Sequence, residues 1–135
     1  LFYGILHTGS GTLAYSNGGH NPPYLLRAAG SAEALAGTGD IVLGALENAA
    51  YREKSATLAS GDSIFLYTDG VTEAMDAAGT LYSDQRLAAL LGHADGAPPE
   101  QLIRSVVDSV RQYCGETPQS DDITALALRY RGPAA

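Results

Sequence analysis

One stretch constrains the fold more than any other: Ser60-Gly61-Asp62, then Ser63-Ile64-Phe65-Leu66-Tyr67-Thr68, then Asp69-Gly70. The central run is nearly continuous in apolar residues, which predicts a strand buried on both faces. Ser60-Gly61-Asp62 turns the chain into it. At its far end a carboxylate followed by glycine presents oxygen to a cleft while the backbone bends sharply.

The rest of the first half also reads as strands. Leu1 to His7 is apolar and aromatic and ends in Thr8-Gly9-Ser10-Gly11, so Thr12 to Ser16 is its expected hairpin partner. Asn17-Gly18-Gly19-His20-Asn21-Pro22-Pro23 follows as a rigid loop, then Tyr24 to Ala28 as a third strand. Gly37 to Ala45 is glycine-rich and fits no single element, and Tyr51 to Leu58 alternates as an edge strand does.

Beyond Asp69-Gly70 the signals turn helical. Val71 to Met75 suits a short helix, and Ser83 is the expected N-cap of a helix from Asp84 to Leu91, with Gly92 as its stop. Pro99 to Tyr113 carries the clearest pattern: proline at the start, Glu100 in the first turn, Arg111 near the end and Gly115 beyond. Its Leu102, Ile103, Val106, Val107 and Val110 recur on one face. Ile123 to Tyr130 reads as a closing strand. Strands, then helices, then a strand make the fold class α+β.

Composition narrows the partners. The 135 residues carry a net charge of −7 with only 8 Lys and Arg, which argues against nucleic acid or an anionic membrane as the main partner. No run reaches the roughly 18 apolar residues of a membrane span. Cys114 is the only cysteine, so neither an internal disulfide nor a cysteine-based metal site is available, and a reducing, cytoplasmic setting is expected. The chain opens on Leu1-Phe2-Tyr3 without Met, so the lack of a visible leader says little about any longer parent.

Two features carry chemistry. Thr68-Asp69-Gly70-Val71-Thr72-Glu73 places a carboxylate at a buried strand's end, and Ser120-Asp121-Asp122-Ile123-Thr124 sets two adjacent carboxylates before the last strand. Oxygen donors of this kind suit Mg²⁺ and Mn²⁺. The same spacings also suit a helix-capping turn at Asp69 and a solvated turn at Asp121-Asp122.

Taken together, SNGGHNPPYLL, LASGDSIFLYTDGVTEAMDAAGTLY and SDDITALALR resemble three successive motifs of one family. It is the PPM-type (type 2C, PP2C-like) metal-dependent protein serine/threonine phosphatases, in the bacterial branch typified by stage II sporulation protein E. The resemblance runs from Leu1 to Arg131, which makes residues 1–131 the C-terminal portion of such a domain and 132–135 a tail.

It implies part of a β-sandwich flanked by helices (αββα) that lacks its N-terminal strands. It also implies two Mn²⁺ or Mg²⁺ ions that activate a water for hydrolysis of phosphoserine or phosphothreonine. Asp69 and Asp121 fall on ligand positions, Gly70 and Asp122 beside them, Asp122 matching an asparagine of eukaryotic members. His20, Asn21 and Glu73 fall on accessory positions; a loop-stabilising hydrogen bond is the favoured role of His20, and Glu73 either orders the Asp69 turn or begins a helix favourably.

The implied substrate is a phosphorylated regulatory protein of the anti-anti-sigma type. The family's metal-bridging Gly-Asp has no match, since Gly39-Asp40 and Gly61-Asp62 stand in the wrong order and context. This sequence alone is therefore expected to be inactive, and to dimerise, swap strands or be marginally stable. The alternatives are a non-catalytic phosphatase-like binding module and a metal-binding structural domain unrelated to phosphate.

Overall fold

In a computed structural model, which describes residues 1–133, the buried run becomes the strand that organises two sheets. The elements in chain order are β1 (Phe2–His7), β2 (Thr12–Asn17), β3 (Tyr24–Arg27), β4 (Ser31–Ala34), β5 (Lys54–Thr57) and β6 (Ser63–Tyr67). Then come α1 (Asp69–Thr72), α2 (Ser83–Gly92), α3 (Pro99–Cys114) and β7 (Ala125–Arg129). One sheet has the order β1-β2-β5 and the other β4-β3-β6-β7, with every pairing antiparallel. The fold is the expected α+β arrangement of stacked sheets and helices.

Strand β6 has a core on each side. Ile64 joins Leu13, Tyr15, Leu25, Leu35, Leu58 and Tyr130 between the two sheets. Phe65 and Tyr67 face the opposite way, against Val71, Leu87, Leu91, Leu102, Val106 and Val110. Leu102, Val106 and Val110 of the α3 stripe are thus core with Ile103 packed against them, as its periodicity predicts, while Val107 is half-buried outside that cluster. Helices α2 and α3 cover the β4-β3-β6-β7 sheet. The other sheet leaves Tyr3 and Ile5 exposed on β1. Both β1 and β7 are outer strands, and between them Phe2, Leu6, Leu13, Ile64, Leu126 and Leu128 line an apolar cleft of about 190 Å³. Among the described residues no helix is long and apolar enough to cross a membrane.

Several expectations are corrected. Ser83 does not cap α2: it is the helix's first residue, with φ 76°, and Tyr82 precedes it without a side-chain cap. The first short helix begins at Asp69 rather than Val71 and ends at Thr72. Glu73 therefore closes that helix, its N–H donating to the Asp69 carbonyl at 2.8 Å, instead of starting one. Strand β4 has no apolar signature; Gly30, at φ 90°, turns the chain so that Ser31–Ala34 pairs backbone to backbone with β3. The tail expected from Gly132 is described only to Pro133; Ala134 and Ala135 lie outside the described residues.

An ion pair between half-exposed Arg27 and buried Asp62 ties the sheets together. Asp62, 3% exposed, accepts the Ala28 N–H and the Ala59 N–H at 2.9 Å each, and Arg27 Nη1 at 2.9 Å. The same Arg27 nitrogen donates to the Thr57 carbonyl at the end of β5. Burial would raise the Asp62 carboxyl, but the two N–H donors and Arg27 outweigh it and hold it below the usual carboxylate range.

A carboxyl depressed in the folded state contributes stability above its unfolded value of about 4, and loses it as pH falls through the folded value. Urea unfolding should show Asp62→Ala less stable by about 2 kcal/mol at neutral pH, since two N–H groups lose their acceptor. On acidification below about pH 4, Asp62→Asn should lose less stability than the wild type.

Candidate metal centre

The end of β6 is fixed before it reaches the first carboxylate. Tyr67 is buried, and its hydroxyl donates to Asp84 Oδ1 at 2.9 Å, tethering the strand to the first turn of α2. Burial first, and Asp84 second, push that hydroxyl well above its ordinary pKa, so it remains a donor. Thr68 keeps the extended conformation for one more residue (φ −88°, ψ 161°), and Asp69 then opens α1. Asp69 is exposed, and its Oδ1 accepts the Gly70 N–H at 3.1 Å. It occupies the first helical position, not the cap, so the capping alternative is not what the structure adopts.

Antiparallel pairing brings the second acidic turn to the same place. Tyr67 lies opposite Ala125, so the residues before β7 meet the residues after β6. Thr68 N–H donates to the Thr124 carbonyl at 3.0 Å, and Thr68 Oγ1 donates to the Asp122 carbonyl at 2.9 Å. Gly70 packs against the same turn: a Cβ built there would stand 2.5 Å from the Asp122 carbonyl oxygen and 2.9 Å from its carbon. Asp121 Oδ1 accepts the Asp122 N–H at 2.6 Å, and the Asp121 carbonyl accepts Gln119 Nε2 at 2.6 Å. Asp69 and Asp121 share one design: the next residue's N–H holds one carboxylate oxygen, and no hydrogen bond within the described residues uses the other.

The acids divide by their neighbours. Asp62 pairs with Arg27 and Asp40 with Arg52, at 2.9 and 3.1 Å. Among the described residues no ion pair reaches Asp69, Asp121 or Asp122. Their oxygens are hard donors of the kind Mn²⁺ and Mg²⁺ take, so the residues fit such an ion in kind. They fill only part of a shell: among the described residues no group of three or more His, Cys, Asp or Glu is gathered closely enough to hold a metal.

Of the accessory candidates, Glu73 adjoins the Asp69 turn, while His20 and Asn21 sit in a loop with bonds of its own. His20 N–H donates to Asn17 Oδ1 at 2.8 Å, Asn17 Nδ2 donates to the His20 carbonyl at 2.8 Å, and His20 Nδ1 lies 2.7 Å from the Asn21 carbonyl. His20 and Asn21 thus belong to a loop wound around buried Asn17, which is itself bonded to Thr38 Oγ1. Glu73 is exposed at the end of α1. Sequence reading passed over Asn17 and Thr38. Their one signal was an asparagine before Gly18-Gly19, a residue that readily bonds to backbone in turns.

The sequence profile of the stage II sporulation protein E (SpoIIE) family matches residues 1–131. The chain is 31% identical over 128 residues to Protein IcfG of Synechocystis, covering 95% of this chain and 20% of that protein. It is similar to the structure of the RsbU and RsbW domains of a Mycobacterium tuberculosis protein, with TM-score 0.83 and 30% identity over 99% of this chain and 36% of that one. It is also similar to the SiaA-PP2C domain of Pseudomonas aeruginosa, with TM-score 0.75 and 25% identity over 90% of this chain and 47% of that one. The chain therefore spans a fifth to about half of the length of these relatives.

Gly70 has an ordinary negative-φ backbone, so its need is for space alone. Gly70→Ala should force the Asp121-Asp122 backbone outward and cost about 1–3 kcal/mol in urea unfolding, as overpacking does. An unchanged midpoint would show that the two turns do not touch.

Proposed function

The chain belongs to the stage II sporulation protein E family of PP2C-like phosphatase domains, and on that premise we propose that it hydrolyses phosphoserine or phosphothreonine on a regulatory protein. One observation carries the reading. The Asp69 turn and the Asp121-Asp122 turn meet at one end of the sandwich, and among the described residues no cationic side chain pairs with their carboxylates.

Asp69 and Asp121 hold divalent ions in this reading. Each has one oxygen oriented by the following N–H and the other without a hydrogen bond among the described residues. When bound, Mn²⁺ or Mg²⁺ supplies an activated water and offsets charge on the phosphoryl group. Gly70 lets the two turns close on each other, and the Asp122 carboxylate adds negative charge beside Asp121 with no hydrogen bond of its own among the described residues. The exposed setting leaves room for a protein substrate. A further acidic donor is needed to complete the shell, so this sequence by itself turns over little. The substrate class, a phosphorylated anti-anti-sigma-type protein in the cytoplasm, rests on the family branch.

A second reading has its own observation. Two acidic turns without a third metal-binding group also suit a phosphatase-like module that binds its partner without turnover. The apolar cleft between β1 and β7 supports self-association of this stretch, because both bordering strands have unpaired edges.

Phosphate release from a phosphoserine protein, measured with and without Mn²⁺ on the full-length protein, separates these readings. Asp69→Ala and Asp121→Ala should each lower the Mn²⁺-dependent rate at least ~100-fold, while Asp122→Asn keeps most of it. No release by a folded, Mn²⁺-binding wild type would leave the binding module.

A further inference from the structure

We propose that Thr68 is the positioning residue of this centre, its hydroxyl setting the separation of the two acidic turns. The inference rests on the metal reading given above. Strand β6 ends at Tyr67, and its ladder with β7 ends at the pair Tyr67 and Ala125. One further backbone bond follows, from Thr68 N–H to the Thr124 carbonyl at 3.0 Å. There the backbone of Asp69 turns away into α1, and nothing in the main chain of β6 is left to hold residues 122–124.

The Thr68 hydroxyl takes over that task. Its Oγ1 accepts the Thr124 N–H at 3.0 Å and donates to the Asp122 carbonyl at 2.9 Å. One side chain thus acts as donor and acceptor at once and adds a rung to the ladder between the carboxylate-bearing residues. Only a hydroxyl fills both roles at this size. The β-branched side chain also suits the extended backbone of residue 68 and keeps few rotamers open.

Gly70 complements it from the other side, because the Asp122 carbonyl that Thr68 holds is the atom a Cβ at Gly70 would strike. The turn before β7 is therefore fixed between a hydrogen bond and a close contact. Neither group need touch a metal or a substrate; both set where Asp121 stands relative to Asp69.

The test compares the full-length protein as wild type, Thr68→Ser and Thr68→Val, with Thr68→Ala replacing Thr68→Val should the latter unfold. Two quantities are read: Mn²⁺ binding by calorimetric titration, and hydrogen exchange of the Thr124 amide in metal-free protein. Thr68→Val should exchange the Thr124 amide at least ~10-fold faster and bind Mn²⁺ ~10-fold more weakly or worse, the range seen when groups orienting a ligand are removed. Thr68→Ser, which keeps both hydrogen bonds, should stay close to wild type in both.

Equal Mn²⁺ binding by all three proteins, unchanged Thr124 exchange in Thr68→Val, or a serine variant as impaired as valine would each overturn the inference while leaving the proposed function standing. A folded wild type that binds no Mn²⁺ would overturn the metal reading and this inference with it.

Discussion

Strand β6 is enclosed on both faces, and the rest of the molecule follows from that enclosure. Phe65 is fully buried against the helices, and Ile64 packs against the opposite sheet. A strand held between two cores cannot slip by one residue without exchanging its faces, so its register with β3 and β7 is strongly fixed. That register decides where the strand stops, and hence where Asp69 leaves it. Antiparallel pairing with β7 then brings Asp121 and Asp122 to the same end. The candidate centre is a consequence of packing some distance below it.

Charge is distributed on the same logic. Asp62 and Asp40 each follow a glycine, and each is taken up by an arginine and by backbone N–H. Their charge contributes to holding loops against sheets. Asp69, Asp121 and Asp122 are exposed, and among the described residues no arginine or lysine pairs with them; in the proposed reading an ion relieves their repulsion. A net charge of −7 thus conceals two populations of carboxylate, one structural and one available.

Much of this was readable in the residues, for physical reasons that differ by element. Helix α3 announces itself because burial of one face imposes a helical period on its apolar residues, β6 because burial of both faces makes its apolar run continuous, and the β1-β2 hairpin because a turn cluster separates two apolar runs. The two acidic turns could be named singly, but each alone suited a plain turn; the resemblance of three ordered motifs tied them together before the structure did. Strand β4 was not legible, since Ser31–Ala34 forms a strand through backbone pairing and not through apolar side chains. The Arg27–Asp62 pair, 35 residues apart, and the Asn17–Thr38 bonds, 21 apart, depend on tertiary contact that no local pattern encodes. Ser83 misled because a good capping residue stood one position inside the helix it was expected to precede.

The account depends on the two acidic turns sharing an ion, and anomalous diffraction from Mn²⁺-soaked crystals of the full-length protein tests that directly. A manganese peak within coordinating distance of both the Asp69 and the Asp121 carboxylates is the result the account predicts. Manganese bound elsewhere, or none at Asp69 in crystals that take up the ion, would contradict it.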